Sequence, residues 1–138
     1  MALKKGCKDL VAEANQMIRT IPTADAIARH GDADTVFVDL RDVRELQREG
    51  MIPGALHAPR GMLEFWVDPE SPYYKEVFGS GKEFVFYCAS AWRSALATRA
   101  VQEMGLEPVA HIEGGFSAWR KAGGPVGEKP EKPAKKQE

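Results

Sequence analysis

An α/β fold, a mostly parallel β-sheet with helices on both faces, is the class this sequence predicts. Three observations carry the expectation. The candidate strands are near-continuous apolar runs rather than alternating ones, as in strands buried on both faces. Helical patterns separate most of these runs, and parallel strands need such crossover connections. The chain also has 138 residues, 43% of them hydrophobic, so one domain can bury its own core without disulfide staples.

The elements follow in order. Leu10, Val11, Ala14, Met17 and Ile18 recur at helical spacing and predict an amphipathic helix from about Lys8 to Ile18. Pro22-Thr23 reads as a second helix start, with Thr23 as N-cap before Ala26-Ile27-Ala28. Thr35 to Asp39 is a β-branched and aromatic run, hence a buried strand. A helix over Asp42–Glu49 stops at Gly50. Ala55 to Ala58 is a weaker strand ended by Pro59, and Gly61 to Phe78, interrupted by Asp68-Pro69 and Ser71-Pro72, reads as short helical pieces. Glu83 to Cys88 is the clearest strand. The stripe Leu96, Ala97, Ala100, Val101, Met104 makes a helix from Arg93 to Met104, closed by Gly105. Pro108 to Ile112 is another strand, and Gly114-Gly115 leads into a last short helix, Phe116 to Ala122.

Charge and composition exclude several classes. Nineteen Lys and Arg against 20 Asp and Glu leave a net charge of −1, without the basic excess of a nucleic-acid binder. No apolar run approaches the roughly 20 residues of a membrane span, so no membrane partner is expected. Asp9 and Glu13 stand where a secretory signal would need an apolar stretch, which points to the cytoplasm. Two cysteines, Cys7 and Cys88, are too few for a disulfide scaffold. Neither Cys-x-x-Cys nor His-Glu-x-x-His occurs, nor any Walker or dinucleotide fingerprint, so neither metal nor cofactor is expected. The run Glu128–Glu138 holds four Lys, three Glu and two Pro with no large apolar side chain, and reads as a disordered tail.

The chemistry centres on Cys88-Ala89-Ser90-Ala91-Trp92-Arg93-Ser94, which joins the clearest strand to an amphipathic helix. In an α/β sheet, ligands bind in loops beyond the carboxyl ends of the strands, and Cys88 has that position. A loop of small residues before a helix start gathers backbone N–H groups around one point. Arg93 adds a positive charge. Each of these favours a thiolate. Trp92, the one large residue, is expected to point outward, as a pocket wall or an exposed contact. A buried strand-end cysteine with no such loop would read simply as a small core side chain.

These residues resemble the single-domain rhodanese-like family. Cys88-x4-Arg93-Ser94 is similar to that family's active-site loop. Asp39-Leu40-Arg41, Glu45 and Gly50-Met51-Ile52-Pro53-Gly54-Ala55 resemble its first block, and Gly114-Gly115-Phe116-Ser117-Ala118-Trp119 its C-terminal block. The similarity divides the chain into an N-terminal helical extension (1–17), a rhodanese-like domain (18–126) and the charged tail (127–138). It implies a five-stranded, mostly parallel sheet and a sulfurtransferase cycle with Cys88 as nucleophile. Ala89, Ser90, Ala91, Trp92 and Arg93 would hold the transferred sulfur through their amides. The expected partners are a small anionic donor such as thiosulfate and an acceptor, either cyanide, a thiol or an acceptor protein. Oligomeric state is not readable.

The resemblance leaves alternatives: a persulfide carrier serving one partner protein, or a binding module with little turnover. Cysteine phosphatases of similar fold, and the arsenate reductases that share their loop, carry five residues between Cys and Arg. Here there are four, a ring better suited to a sulfur atom than to a tetrahedral phosphate. Met51 replaces a His found in many members, and the loop lacks the basic residues that some thiosulfate users carry just after the cysteine. Arg60 follows a strand end on the same sheet edge and reads either as a donor-binding cation or as a solvated surface arginine. Met62, Leu63, Phe65 and Trp66 read as core packing or as a pocket lip. Asp39 and Arg41 read as structural, pairing with backbone or with Glu45, and His57 and His111 as structural histidines on strands.

Overall fold

A computed structural model describes residues 2–130. Five strands, β1 (Arg19–Ile21), β2 (Thr35–Asp39), β3 (Leu56–His57), β4 (Glu83–Tyr87) and β5 (Val109–Ile112), form one sheet in the order β1-β5-β4-β2-β3. Every pairing is parallel. The helices are α1 (Cys7–Met17), α2 (Thr23–Ala28), α3 (Val43–Glu49), α4 (Leu63–Val67), α5 (Trp92–Glu103) and α6 (Gly115–Lys121), with 3₁₀ turns at Arg60–Met62 and Glu76–Gly79. The expected α/β class and five-stranded sheet are the ones observed.

Strand alternation splits the core between the two faces. Phe84, Phe86, Val38 and Val109 bury one face under α4 and α5, with Leu63, Val67, Ala97 and Val101. Val85, Tyr87, Phe37, Ala110 and Ile112 bury the other, with Ala26 of α2 and Phe116 and Trp119 of α6. Helix α1 lies outside this sandwich: Val11, Ala14 and Ile18 pack on Ala95 and Leu96 of α5. Strand β4, which leads into Cys88, is thus central, flanked by β5 and β2, and its C-terminal end is held on both sides.

Some local readings change. Strand β1 is absent from the residue pattern, because three residues with one buried side chain carry no apolar run. Thr23 is not an N-cap. Pro22 holds that position, and the Thr23 hydroxyl instead donates to the Glu113 carbonyl at 3.0 Å, tying α2 to the end of β5. Residue 127, placed in the tail, pairs with the domain: Gly127 and Met51 exchange two backbone hydrogen bonds, 2.8 and 2.9 Å. Residues 131–138, where most of the tail expectation falls, lie outside the described residues. Among the described residues no helix is long and apolar enough to cross a membrane.

Candidate active site

Strand β4 ends at Tyr87, and Cys88 is the first residue beyond it, 1% exposed. The chain then turns through Ala89, Ser90 and Ala91 into α5. Ala91 takes a left-handed backbone, φ 73°, as the only non-glycine residue with positive φ among those described. That conformation costs a non-glycine residue about 1–3 kcal/mol. It brings the chain round sharply enough for α5 to begin directly behind the cysteine.

Helix α6 fixes the loop from the opposite side. Phe116 N–H donates to the Cys88 carbonyl at 2.8 Å, and Ser117 N–H to the Ala89 carbonyl at 3.1 Å. A trans peptide points its N–H opposite to its C=O. Tying these two carbonyls to α6 therefore turns the amides of Ala89 and Ser90 away from it. Among the described residues no hydrogen bond takes the amides from Ala89 to Arg93. The approach is close enough to require glycine: a Cβ on Gly115, whose φ is +62°, would lie 2.6 Å from the Cys88 carbonyl oxygen.

Arg93 and Ser94 open α5. The Arg93 guanidinium makes two bonds of 2.9 Å to the Glu45 carboxylate. This fork holds the Glu45 carboxyl down at about 2, with burial opposing it and the Asp42 amide assisting. Arg93 is correspondingly raised, again chiefly through Glu45. The expected free positive charge at the loop is therefore matched by a carboxylate from α3, 48 residues earlier in the chain. Ser94, fully buried, faces the sulfur: its N–H donates to Cys88 Sγ at 3.4 Å, and its Oγ lies 3.6 Å from Sγ. Ser94 Oγ also meets His111 Nδ1 at 2.9 Å. Burial pushes the His111 imidazole down to about 4, so it is neutral near pH 7.

The other singled-out residues are placed as follows. Ala89 and Ala91 are half-buried, and Ser90 is exposed. Trp92 is exposed, as expected, and is the first residue of α5. Among the described residues the Arg60 side chain makes no hydrogen bond to the loop; its guanidinium donates to Glu64 Oε1 at 2.7 Å, one turn along. Asp39 and Arg41 form a wholly buried pair at 2.8 Å, and Arg41 reaches the Gly50 carbonyl at 2.7 Å. Glu45 is not their partner. His57 Nε2 meets the Arg41 carbonyl at 2.6 Å. The apolar cluster divides: Leu63 is core, Trp66 packs on it, and Phe65 is exposed. Both cysteines are free, Cys7 exposed and Cys88 buried. Among the described residues no three His, Cys, Asp or Glu side chains cluster as a metal site would need.

A family model described as the rhodanese-like domain matches residues 23–122. The chain belongs to this family. Within it, a protein from Allochromatium vinosum named as a sulfurtransferase is 29% identical over 111 residues, covering 80% of this chain and 95% of that one. A solved structure from Rhodopseudomonas palustris, of a protein of unknown function described as a possible tyrosine phosphatase, is 57% identical. It superposes with a TM-score of 0.90 and covers 92% of this chain and 98% of its own. A rhodanese-related protein from Thermoplasma volcanium is 25% identical with a TM-score of 0.65, covering 80% and 99%. The rhodanese-like match begins after α1 and β1, so Asn15 and Thr20 lie outside it.

The partners of two site residues, Glu45 and His111, were not read from the sequence. Glu45 matched a family block and was a candidate partner for Asp39 and Arg41, and the apolar spacing of α3 says nothing about what its polar face reaches. His111 carried a weak signal: it is a polar residue inside Val109–Ile112, and all four of those side chains are buried. A histidine in that setting must have partners.

Proposed function

We propose that this protein is a sulfurtransferase that carries sulfur as a persulfide on Cys88. The observation that carries the reading is the four-residue loop. Cys88 stands at the carboxyl end of a central strand, followed by amides at Ala89 to Arg93 that make no hydrogen bond among the described residues, with the Ser94 N–H directed at its sulfur. The Cys88 thiolate attacks the outer sulfur of a donor such as thiosulfate. The S–S bond of the donor breaks, sulfite leaves with the bonding electron pair, and Cys88 keeps the sulfur as a persulfide anion. Cyanide or a thiolate then attacks that terminal sulfur, and the Cys88 thiolate is released. The loop amides stabilise the negative charge on the moving sulfur. The sulfurtransferase name of the A. vinosum relative supports this reading. A free thiol at Cys88 fits a reducing compartment such as the cytoplasm.

The experiment is intact-protein mass measurement after thiosulfate and then after cyanide. One sulfur atom is expected to add and then to leave, and Cys88→Ser is expected to take up none while keeping its fold. A wild-type chain that gains no sulfur from thiosulfate or any other small sulfane donor would instead be a binding module. A chain that loads but passes sulfur slowly to cyanide and thiols would be a carrier for a protein acceptor. The name of the R. palustris relative raises a second reading, phosphate-ester hydrolysis. With four residues between Cys88 and Arg93 the ring fits a sulfur atom better, and turnover of p-nitrophenyl phosphate without sulfur loading would reverse the preference.

A further inference from the structure

His111 stands on β5 behind the Cys88 loop, 1% exposed, and the sulfur-transfer cycle makes no direct use of it. Both its ring nitrogens are engaged. Nδ1 lies 2.9 Å from Ser94 Oγ, and Nε2 lies 3.0 Å from Asn15 Oδ1 and 3.1 Å from Thr20 Oγ1. With the two Ser94 contacts to Cys88 Sγ, at 3.4 and 3.6 Å, these bonds run unbroken from the buried sulfur to Asn15 on α1 and Thr20 on β1. Asn15 and Thr20 are exposed.

The types of partner say more than their number. A histidine of fixed tautomer needs one acceptor and one donor. Here both tautomers are provided for. With the proton on Nε2, the ring donates to Asn15 Oδ1, Nδ1 accepts the Ser94 hydroxyl, and Ser94 Oγ offers a lone pair to the Cys88 S–H. With the proton on Nδ1, the ring donates to Ser94 Oγ and Nε2 accepts the Thr20 hydroxyl. The Ser94 hydroxyl then turns to the sulfur and joins the Ser94 N–H as a second donor. The first arrangement suits a thiol and the second a thiolate.

We propose that Ser94 and His111 form a proton relay for Cys88 that opens to solvent at Asn15 and Thr20. The thiol proton passes from Sγ to Ser94 Oγ while the Ser94 hydroxyl proton passes to His111 Nδ1. The Nε2 proton then leaves to water. The sulfur keeps the electron pair of its S–H bond, one proton is released, and nothing is oxidised or reduced. The imidazole is neutral before and after, as its depressed basicity requires. His111 acts through Ser94 and is a positioning residue. Asn15 and Thr20 precede residue 23, where the family match begins, so the N-terminal segment takes part in setting the thiol's proton.

Several charged groups on the neighbouring elements are paired, while Lys8 of α1 and Arg120 and Lys121 of α6 have no ion pair among the described residues and Asp9 of α1 accepts the Gly6 N–H. Arg93 of α5 is held by Glu45, and Arg99 of α5 by Glu13 of α1 and by Glu103. Arg19 of β1 pairs with Glu83 of β4, and Asp39 with Arg41. Among the described residues none of these charges hydrogen-bonds to His111.

The inference rests on Cys88 as the sulfur-bearing nucleophile, but its test uses no sulfur donor. In the full chain carrying Cys7→Ser, the rate of Cys88 alkylation by iodoacetamide is followed by peptide mass from about pH 5 to about pH 10. Two surface variants are compared, each with its thermal unfolding. Asn15→Ala removes the acceptor that serves the thiol state, so its alkylation midpoint is expected to move down. Thr20→Val removes the donor that serves the thiolate state, so its midpoint is expected to move up. Each shift is about half a pH unit, roughly threefold in thiolate fraction near neutral pH. Histidine packing alone predicts no such opposition. Any result other than opposite shifts overturns the relay. Opposite shifts in a protein that never takes up sulfur would leave the relay standing and overturn the sulfur-transfer reading instead.

Discussion

Arg93 and Ser94 are consecutive residues on the first turn of α5, and their surroundings are opposite. The Arg93 side chain is 42% exposed and carries a full charge, matched by a carboxylate from α3. The Ser94 side chain is buried and uncharged, and it connects Cys88 to a neutral imidazole. The difference shows how an anionic sulfur can be accommodated without a net charge in the core. The ion pair beside the loop, Arg93 with Glu45, stays at the rim, where water offsets its desolvation. Behind the sulfur, only dipoles and a movable proton are used. Near-zero net charge is therefore no guide to what the site binds.

The contrast depends on the loop keeping its place between the two sides, and the largest expected effect comes from moving it. Gly115→Ala would put a Cβ 2.6 Å from the Cys88 carbonyl oxygen and 2.8 Å from the Ala89 carbonyl group, at a φ of +62°. The obstructing atoms are backbone and cannot rotate aside. The expected loss is on the order of 4 kcal/mol of stability, with both α6 hydrogen bonds to the loop broken. Denaturant unfolding measures the first, and amide exchange at Phe116 and Ser117 the second. A variant as stable as wild type would show that the loop does not need α6.

Acid should separate the two sides in pH. His111 binds a proton at about 4 folded and near its ordinary 6.5 unfolded, so the unfolded chain holds more protons between these values. Stability then falls as pH drops from 6.5 to about 4, by up to roughly 3 kcal/mol, and this contribution is flat below. Glu45 is also depressed, to about 2 from 4.5, so the stability it lends is present above 4.5 and is lost as pH falls toward 2. Its smaller step, damped by solvent, comes second. Chemical denaturation along a pH series would resolve the two windows. Glu45→Gln should shrink only the lower one, to which Asp32 and Asp42, also held down by backbone hydrogen bonds, still contribute, and a single merged step in wild type would contradict the separation.

Legibility in the sequence followed the same division. Strands β2 and β4 were readable because Thr35–Asp39 and Glu83–Tyr87 are runs that only a sheet covered on both faces can bury. The Cys88 loop was readable because its seven residues are contiguous. Strand β1 was not, since its place at the edge comes from pairing Arg19, Thr20 and Ile21 with Ala110, His111 and Ile112 near the other end of the chain. The partners of Arg93 and His111 were hidden for a related reason. Glu45 is brought to Arg93 by the β2-α3 crossover, and Asn15 to His111 by α1 packing on α5, and neither contact leaves a periodic trace. Arg60, read either as a donor-binding cation or as a surface arginine, shows the converse: its sheet edge was readable, but its ion pair with Glu64 one turn away was not.

The smallest effects test the contrast most directly, because they come from adjacent side chains cut back to the same methyl group. Ser94→Ala leaves His111 Nδ1 without its hydroxyl in a site closed to water, at a cost of about 2 kcal/mol. Arg93→Ala leaves Glu45 with solvent and with the Asp42 N–H, which donates to it at 2.9 Å, so its stability should fall by less than about 1 kcal/mol. Activity should not follow stability. Without Arg93, Glu45 stands near the loop as an unmatched anion that repels an anionic donor, so persulfide loading from thiosulfate should slow even though the fold is nearly unaffected. Rising salt should then recover part of the lost rate in Arg93→Ala and none in Ser94→Ala, since screening acts on an exposed charge and not on a buried hydrogen bond. Equal salt responses would mean that rim and interior are not electrostatically distinct.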